Sequence, residues 1–238
     1  MVDDTELERL YDYPDDLDRA WVQVNFVSSA DGAAAVGGVS AGLSSPADKR
    51  IFALGRDLAD VLLVGWGTAN AEGYRGVRPD EVDTARRARL GRAPLPPIAV
   101  VTARGSVPPD APLITDTRVP PIIVTTEAAP ADRRDAWRAA GADVVVAGES
   151  EVDLAVALAA LSERGLRRVS CEGGPTLFGA MIAANLVDQL CLTVAPLLAG
   201  GKAGRIAVGP QAVPVGLALA SVLTEADYLM LRYRRTTA

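Results

Sequence analysis

The stretch Ser170-Cys171-Glu172-Gly173-Gly174-Pro175-Thr176-Leu177 joins an apolar, β-branched run to a segment in which apolar residues recur at helical spacing. This pattern predicts a strand, a glycine turn and a helix in succession. The two glycines remove two Cβ atoms at the bend, so a ligand can approach the backbone closely there. Pro175 suits the first helical position, and the N–H groups of the first turn offer a site for an anion. Because Glu172 places a carboxylate beside that turn, we predict a nucleotide pocket with chemistry at its edge.

A second glycine turn, Gly65-Trp66-Gly67-Thr68, directly follows the apolar run 60–65. It begins like a dinucleotide fingerprint, but residue 70 is Asn, so the Gly-x-Gly-x-x-Gly pattern is incomplete, and a simple tight turn is the alternative. In a parallel sheet both glycine turns open on the same edge. Two such turns suit a dinucleotide, with the pyrophosphate at one turn and the nicotinamide near the other.

The order of apolar runs predicts a mostly parallel sheet with helices on both faces, closed by antiparallel strands. An acidic segment at 1–20 is expected to be partly ordered at best, and residues 21–238 to form one domain. The segment 69–97 is expected to be a surface excursion with a short helix at 80–90. The last two strands are predicted to form a hairpin that turns at Glu225-Ala226. We predict strands at 21–28, 60–65, 98–102, 121–126, 143–147, 167–171, 188–195, 217–224 and 227–235, and helices at 45–58, 130–140, 151–164 and 175–184.

Composition excludes several classes of function. The net charge of −6 argues against nonspecific binding of nucleic acid, which needs a basic face. The chain has no histidine and only two cysteines, which argues against a metal site and against His-dependent catalysis. No apolar run is long and unbroken enough to span a bilayer, and the acidic start lacks a signal-peptide pattern. A cytoplasmic protein with no membrane or nucleic-acid partner is the expectation.

Ordered motifs along residues 20–235 resemble one family. They are Val27-Ser-Ser-Ala-Asp-Gly32, Ser40-Ala-Gly-Leu-Ser-Ser-Pro46, Leu54-Gly-Arg56, Ala59-Asp-Val-Leu-Leu-Val-Gly-Trp-Gly-Thr68, Glu172-Gly-Gly-Pro-Thr-Leu177, Leu186-Val-Asp-Gln189 and Ala195-Pro-Leu-Leu-Ala-Gly-Gly201. The chain is similar to the pyrimidine reductases, the C-terminal reductase domain of bacterial riboflavin biosynthesis. The resemblance implies a three-layer α/β/α, dihydrofolate-reductase-like mixed sheet, mostly parallel with a C-terminal antiparallel hairpin.

The same resemblance implies an NADPH-dependent reduction of 5-amino-6-(5-phosphoribosylamino)uracil to its ribitylamino form, with hydride delivered to the sugar C1′. It assigns catalysis to Glu172 and Asp31. Glu172 would accept hydrogen bonds from the pyrimidine or ribose, and Asp31 would shape the loop over the nicotinamide. Substrate binding is assigned to Ser40, Arg56, Glu72 and Glu172, with Arg56 a candidate for the substrate phosphate. Cofactor binding is assigned to Gly65, Trp66, Gly67, Thr68, Thr102, Arg104, Gly173, Gly174, Pro175, Thr176 and Leu177, with Thr102 and Arg104 the candidates for the extra phosphate of NADPH.

Three departures from the family pattern are present, and the last two bear on the substrate. The chain lacks the zinc deaminase domain of the bifunctional members, so it is expected to be a stand-alone reductase. Gly42 stands where many relatives have Trp, and Glu72-Gly73-Tyr74 replaces an Asp-Asp-Pro segment. Two alternatives stay open: a dihydrofolate or pterin reductase on the same fold, and a non-catalytic NADPH-binding protein. By analogy with the family, and because the C-terminal strands supply extra β-surface, a homodimer is predicted.

Overall fold

The protein is described here by a computed structural model that covers residues 2–209 and 214–236. The strands are β1 Trp21–Ser29, β2 Val61–Gly65, β3 Ile98–Val101, β4 Ile122–Thr125, β5 Asp143–Val146, β6 Arg168–Cys171, β7 Gln189–Ala195, β8 Leu217–Glu225 and β9 Tyr228–Arg235. The helices are α1 Asp4–Tyr11, α2 Pro46–Leu58, α3 Trp66–Ala71, α4 Thr84–Arg89, α5 Pro112–Thr115, α6 Ala131–Ala139, α7 Leu154–Glu163 and α8 Pro175–Ala183. Single 3₁₀ turns lie at Ser40–Gly42 and Pro79–Glu81.

All nine strands form one sheet in the order β5-β4-β3-β2-β6-β1-β7-β9-β8. Every pair from β5 to β7 is parallel, and β9 runs antiparallel to both of its neighbours. The predicted mixed sheet with a C-terminal antiparallel hairpin is therefore confirmed. β1 lies between β6 and β7, so the first strand of the sheet sits beside the glycine turn that follows β6.

Helices cover both faces of the sheet, because the strands bury apolar side chains on both sides. α7 and α8 pack on one face, over alternate residues of β1, β2 and β6 such as Val24, Leu63 and Cys171. α5 and α6 pack on the opposite face over the β2–β4 half of the sheet, where Trp137 is fully buried. α1 and α2 cover the same side nearer β7 and β9. This is the expected three-layer arrangement.

The N-terminal segment is more ordered than its acidic composition suggests. Residues 4–11 form α1, whose first turn is capped by the Asp3 side chain accepting from the Glu6 N–H. Leu7 and Tyr11 are buried against α2, and Glu8 accepts hydrogen bonds from arginines of α4. The expectation of a partly ordered segment is wrong here, because an amphipathic stripe beneath the acidic residues finds an apolar surface to cover.

Two further differences concern short elements. The hairpin turns at Ala226-Asp227, one residue later than predicted, and both residues have positive φ values of 49° and 68°. A two-residue turn with positive φ at both positions matches the twist of the strands, and Asp tolerates that conformation well. In the 69–97 excursion, α4 confirms the predicted short helix, whereas α3 was not expected.

Arg87 of α4 fixes the end of α2, which carries much of the site. Its side chain is fully buried, and Nη1 donates to the carbonyl oxygens of Arg56 at 2.7 Å and Ala59 at 2.8 Å. These are carbonyls that a helix end leaves without a partner, so the guanidinium both satisfies them and suits the negative end of the helix dipole.

Among the helices of the described residues, none has the length and apolar character needed to cross a bilayer.

Candidate active site

A cavity of about 650 Å³ opens where β1, β2 and β6 end. This volume suits a small-molecule site. It lies at the carboxyl edge of parallel strands, where open α/β sheets bind ligands. Its walls are the glycine turns 67–68 and 172–175, the inner face of α2 and segments of three loops, which contribute in particular Asn25, Phe26, Ser40, Ser44, Asp48, Lys49, Phe52, Arg56, Glu72, Tyr74, Arg75, Glu81 and Arg205.

The two glycine turns meet, as the parallel topology predicts. The Gly65 N–H donates to the Gly173 carbonyl at 2.9 Å. Gly173 has φ of +99°, which favours glycine, and a Cβ there would press on the ring of Phe26. A Cβ on Gly174 would overlap the Thr68 hydroxyl oxygen. The second turn therefore depends on the missing side chains of Gly173 and Gly174, whereas a Cβ on Gly67 of the first turn would stand in open space.

Glu172 emerges from the end of β6 into a buried ion pair. Arg56 Nε donates to Oε1 at 2.7 Å and Nη2 donates to Oε2 at 2.9 Å, a bidentate geometry. The side chain of Glu172 is 1% exposed and that of Arg56 is 10% exposed. Burial alone would lower the pKa of Arg56, but the charge and hydrogen bonds of Glu172 outweigh it and raise the pKa. The fork of Arg56 is thus committed to Glu172.

Tyr74 completes this pair from the loop after α3. Its hydroxyl donates to Glu172 Oε2 at 2.7 Å. Burial and the Glu172 charge raise the pKa of Tyr74 well above its ordinary value, so the phenol keeps its proton. The Arg56 guanidinium carbon lies 4.6 Å from the ring centroid of Phe52 and 5.7 Å from that of Tyr74. Two aromatic rings therefore hold the guanidinium in place beside the cavity.

Ser40 and Glu72 lie together at the rim. Glu72 Oε1 accepts from the Ser40 N–H at 3.2 Å and from its hydroxyl at 3.1 Å. Ser40 is half-buried, Glu72 is exposed, and both line the cavity. The contact ties the small-residue loop of 33–42 to the end of α3, so these two predicted substrate residues form one side of the entrance.

Asp31 lies outside the cavity lining. Its carboxylate accepts from the Ser29 hydroxyl and from the backbone N–H groups of Ala199 at 3.1 Å and Gly200 at 2.7 Å. The Ser29 hydrogen bond, followed by those two backbone bonds, lowers the pKa of Asp31 to about 2. The side chain is exposed and holds the loop after β1 against the loop after β7, so its contacts in this structure are with the protein itself.

The remaining predicted cofactor residues separate into three groups. Gly67, Thr68, Gly173, Gly174 and Pro175 line the cavity. Gly65, Trp66 and Leu177 lie outside the lining: a Cβ on Gly65 would contact Leu177, and Trp66 packs against the apolar core. Thr176 is exposed at the start of α8. Thr102 and Arg104 lie after β3, away from the cavity. The Thr102 side chain is buried and 3.1 Å from the Ser106 hydroxyl, whereas Arg104 is exposed.

Several cavity residues were not anticipated from the sequence. In the sequence Tyr74 stands out only as a departure from the family pattern, although its hydroxyl donates a hydrogen bond to Glu172 of the ion pair. Phe52 lies four positions before Arg56, and Lys49 lies seven positions before it. These spacings place all three residues on one face of α2. That periodicity could have identified Phe52 and Lys49. Asn25 and Arg205 have no comparable local signal, because each reaches the cavity only through the fold.

Comparison with known proteins agrees with this architecture. The family model described as the RibD C-terminal domain matches residues 20–230. A 2,5-diamino-6-ribosylamino-4(3H)-pyrimidinone 5′-phosphate reductase from Methanothermobacter thermautotrophicus is 31% identical over 196 residues, which cover 82% of this chain and 86% of that protein.

Two solved structures share the fold. A pyrimidine reductase-like protein from Corynebacterium diphtheriae superposes with a TM-score of 0.78 at 24% identity, covering 92% of this chain and 93% of that one. A Thermotoga maritima protein named as a deaminase and 5-amino-6-(5-phosphoribosylamino)uracil reductase has a TM-score of 0.68 at 16% identity, covering 92% of this chain and 57% of that one. On the family match and the identity to the M. thermautotrophicus enzyme, the chain belongs to the RibD C-terminal domain family of riboflavin-biosynthesis reductases.

Proposed function

We propose that this chain, through its domain of residues 21–238, reduces a phosphorylated ribosylaminopyrimidine with a nicotinamide cofactor as the hydride donor. The observation that carries the proposal is the cavity itself. It brings together both glycine turns, which leave backbone free for a dinucleotide, and the buried Arg56–Glu172 pair, which supplies polar recognition of a ring. The relatives named as reductases of such pyrimidines support the choice of substrate class.

The residues present fit a dinucleotide. Gly67 has open space where a Cβ would stand, and it lines the cavity beside Thr68. The turn 173–175 continues into α8, whose first-turn N–H groups favour an anionic group. A bound nicotinamide supplies hydride, and the protein's contribution is to hold the acceptor carbon in line with it and to exclude water.

Two arginines near the end of β3 support NADPH as the form of the cofactor. Arg104 is exposed, and the Arg133 side chain packs beside Gly105, the next residue along the chain. Neither guanidinium forms an ion pair within the described part of the chain, so both are available to the extra phosphate. Thr102 is a poorer candidate because its side chain faces Ser106. Arg104→Ala is expected to raise KM for NADPH but not for NADH; an unchanged preference for NADPH would remove Arg104 from this role.

The substrate phosphate needs cations other than Arg56. Lys49 and Arg205 line the cavity, are exposed, and form no ion pair within the residues that the structure describes. Arg56 instead keeps its fork on Glu172. We therefore assign the phosphate to Lys49 and Arg205, and the pyrimidine ring to the Arg56–Glu172 pair. Ser40 and Glu72 would contact the ribose portion at the entrance.

In this assignment Glu172 is the residue that touches substrate, and its carboxylate accepts both hydrogen bonds of the Arg56 fork. It orients the ring through hydrogen bonds from ring N–H groups, which sets the sugar C1′ of the ring-opened imine before the hydride donor. Asp31 has a positioning role, because it holds the loop after β1 in place without entering the cavity.

The direct test follows NADPH oxidation by purified protein. It compares three substrates under one condition: 2,5-diamino-6-ribosylamino-4(3H)-pyrimidinone 5′-phosphate, 5-amino-6-(5-phosphoribosylamino)uracil and dihydrofolate. Turnover of either ribosylaminopyrimidine, with dihydrofolate inert, is the expected result. Turnover of dihydrofolate alone would make the chain a pterin reductase. NADPH binding without turnover of any of the three would make it a cofactor-binding protein.

A homodimer is proposed from the surface of the C-terminal strands. On the face of β8 and β9 away from α1, Leu217, Leu219, Val222 and Leu229 are 40%, 55%, 46% and 41% exposed. A contiguous apolar face of this kind is a typical site of self-association. Leu219→Glu is expected to shift the sedimentation coefficient to that of a monomer, whereas a wild-type protein that sediments as a monomer would contradict the proposal.

A cytoplasmic location is proposed together with the reductase activity.

A further inference from the structure

The two ring structures that the relatives' names describe differ at ring position 2 and at the adjacent N1, which carries a hydrogen only in the uracil. The 2,5-diaminopyrimidinone carries an amino group at ring position 2, next to the N3–H, so two neighbouring atoms donate hydrogen bonds. The aminouracil carries a carbonyl oxygen at position 2, which accepts. The hydrogen-bonding groups beside the ring therefore determine which form binds.

The cavity wall formed by Glu172, Tyr74 and Glu81, called here the acceptor wall, offers acceptors to a ligand. Glu172 can only accept, and its Oε1 receives one N–H, from Arg56 Nε, which leaves capacity for another. The hydroxyl of Tyr74 uses its single O–H to donate a hydrogen bond to Glu172 Oε2. Its oxygen therefore retains only lone pairs for the cavity.

The cation in this wall does not supply donors to the ring. Arg56 directs Nε and Nη2 to Glu172, and its Nη1 lies 3.6 Å from Glu81 Oε1. Its flat face is covered by Phe52 at 4.6 Å. The guanidinium thus holds the two carboxylates in place, and within this wall Glu172 and Tyr74 present acceptors.

The neighbouring polar residue on the sheet does not reverse this preference. Asn25 lies on β1 one residue beyond Val24, which is paired with Cys171, so Asn25 is the neighbour of Glu172 across the sheet. An amide has both a donor and an acceptor, and it can bind the 4-oxo group that both ring forms share.

We infer that Tyr74 and Glu172 together select the 2-amino form of the pyrimidine over the 2-oxo form. The amino group and the N3–H donate to the two acceptors, whereas the 2-oxo group of a uracil would bring a third unprotonated oxygen against them. A buried acceptor without a donor is costly, so such a site rejects the mismatched ring strongly. This inference rests on the proposed function and narrows its substrate. Tyr74 is the specificity-determining residue that the family resemblance did not assign.

The experiment measures kcat/KM for the two ribosylaminopyrimidine phosphates and, separately, the equilibrium affinity for each without cofactor. Wild type is expected to prefer the 2-amino form by about tenfold or more. Tyr74→Phe is expected to reduce that preference several-fold, with the NADPH affinity unchanged. Tyr228→Phe, which removes a hydroxyl in the C-terminal hairpin away from the cavity, is the matched control and should keep the wild-type ratio.

A second variant tests ring selection even if Tyr74→Phe loses activity for structural reasons. Glu172→Gln introduces an N–H donor into the acceptor wall, so the ratio of affinities should move toward the 2-oxo form, provided thermal melting shows a folded protein. The inference would be overturned if wild type binds the two rings equally well or prefers the 2-oxo ring. It would also be overturned if Tyr74→Phe leaves the ratio of kcat/KM for the two rings unchanged. If neither ring is reduced but the 2-amino ring still binds more tightly, the proposed reductase activity fails while the ring selection stands.

Discussion

The loop after β1 and the turn after β6 each carry a carboxylate that the family resemblance connects with the reaction. The surroundings of these two carboxylates differ in burial and in charge. Asp31 is exposed and accepts hydrogen bonds from neighbouring loop residues. Glu172 is 1% exposed and paired with a buried arginine. The first carboxylate therefore organises loops, and the second holds a charge at a cavity wall. A carboxylate thus acquires its role from its burial and its hydrogen-bond partners, neither of which is visible in the sequence around it.

The largest expected effect comes from deleting the buried carboxylate. Glu172→Ala leaves the Arg56 charge buried without its partner, so the free energy of unfolding should fall by about 3–5 kcal/mol. Urea unfolding followed by circular dichroism measures the change. Glu72→Ala is the matched control, because it removes an exposed glutamate on the same cavity and should cost less than about 1 kcal/mol. Equal losses in the two variants would show that burial does not distinguish these carboxylates.

Glu172→Gln separates charge from shape. The amide keeps the size of the side chain but loses charge-assisted hydrogen bonds worth about 1.5–3 kcal/mol, so kcat/KM for the pyrimidine should fall on the order of 10- to 100-fold. NADPH affinity, measured by fluorescence titration, should stay within about twofold of wild type by the same reasoning, because the lost bonds lie at the ring. Unchanged turnover would remove Glu172 from the substrate site.

The glycines of the two regions provide a third comparison. A Cβ at Gly174 would overlap the Thr68 hydroxyl, so Gly174→Ala should cost about 1–3 kcal/mol and distort the cavity. Gly32 has open space around it but φ of +89°, so Gly32→Ala should cost a similar amount, about 1–2 kcal/mol, through the backbone alone. Only Gly174→Ala should also reduce kcat/KM per folded molecule. A comparable loss of activity in Gly32→Ala would show that the turn at 31–32, outside the cavity lining, shapes the site as strongly as the turn at 173–174 does.

The smallest effect is the pH dependence that Asp31 contributes. Its pKa is lowered to about 2 in the folded protein by Ser29 and by the N–H groups of the loop after β7, against a reference of 3.8. A lowered folded pKa adds stability above the reference value, and that stability disappears as pH falls from 3.8 toward 2. The difference in melting temperature between wild type and Asp31→Asn should therefore shrink over this range. A constant difference would mean that the carboxylate charge is not what holds the loop.

Local patterns predicted most of the fold. Fully apolar runs such as 61–64 predict strands because they are typical of parallel strands buried on both faces. Pro46 in the first turn and Asp48 near the positive end of the dipole predict a helix over 45–58, and the structure begins it at Pro46 with Ser45 as its cap. The order of α1 was missed, because its stability comes from contacts with α2 and α4 and not from its own acidic sequence.

In the candidate site, motifs identified Glu172, Arg56 and both glycine turns, but not their connections. The bidentate pair joins residues 116 positions apart, and the Tyr74 bond joins residues 98 positions apart. No local signal encodes such distances. For the same reason the sequence suggested Arg56 as a phosphate ligand, whereas the structure commits its fork to Glu172.

From the sequence alone, glycine placement, apolar periodicity and helix caps determined the strand-turn-helix units and the edge on which their turns open, because these are local properties of backbone sterics and of side-chain burial. The assembled fold fixes which carboxylate is buried and which arginine is already paired, and it brings the Tyr74 hydroxyl to donate a hydrogen bond to Glu172. Those outcomes depend on burial and on hydrogen bonds between distant segments, and both arise only when the sheet and its covering helices assemble.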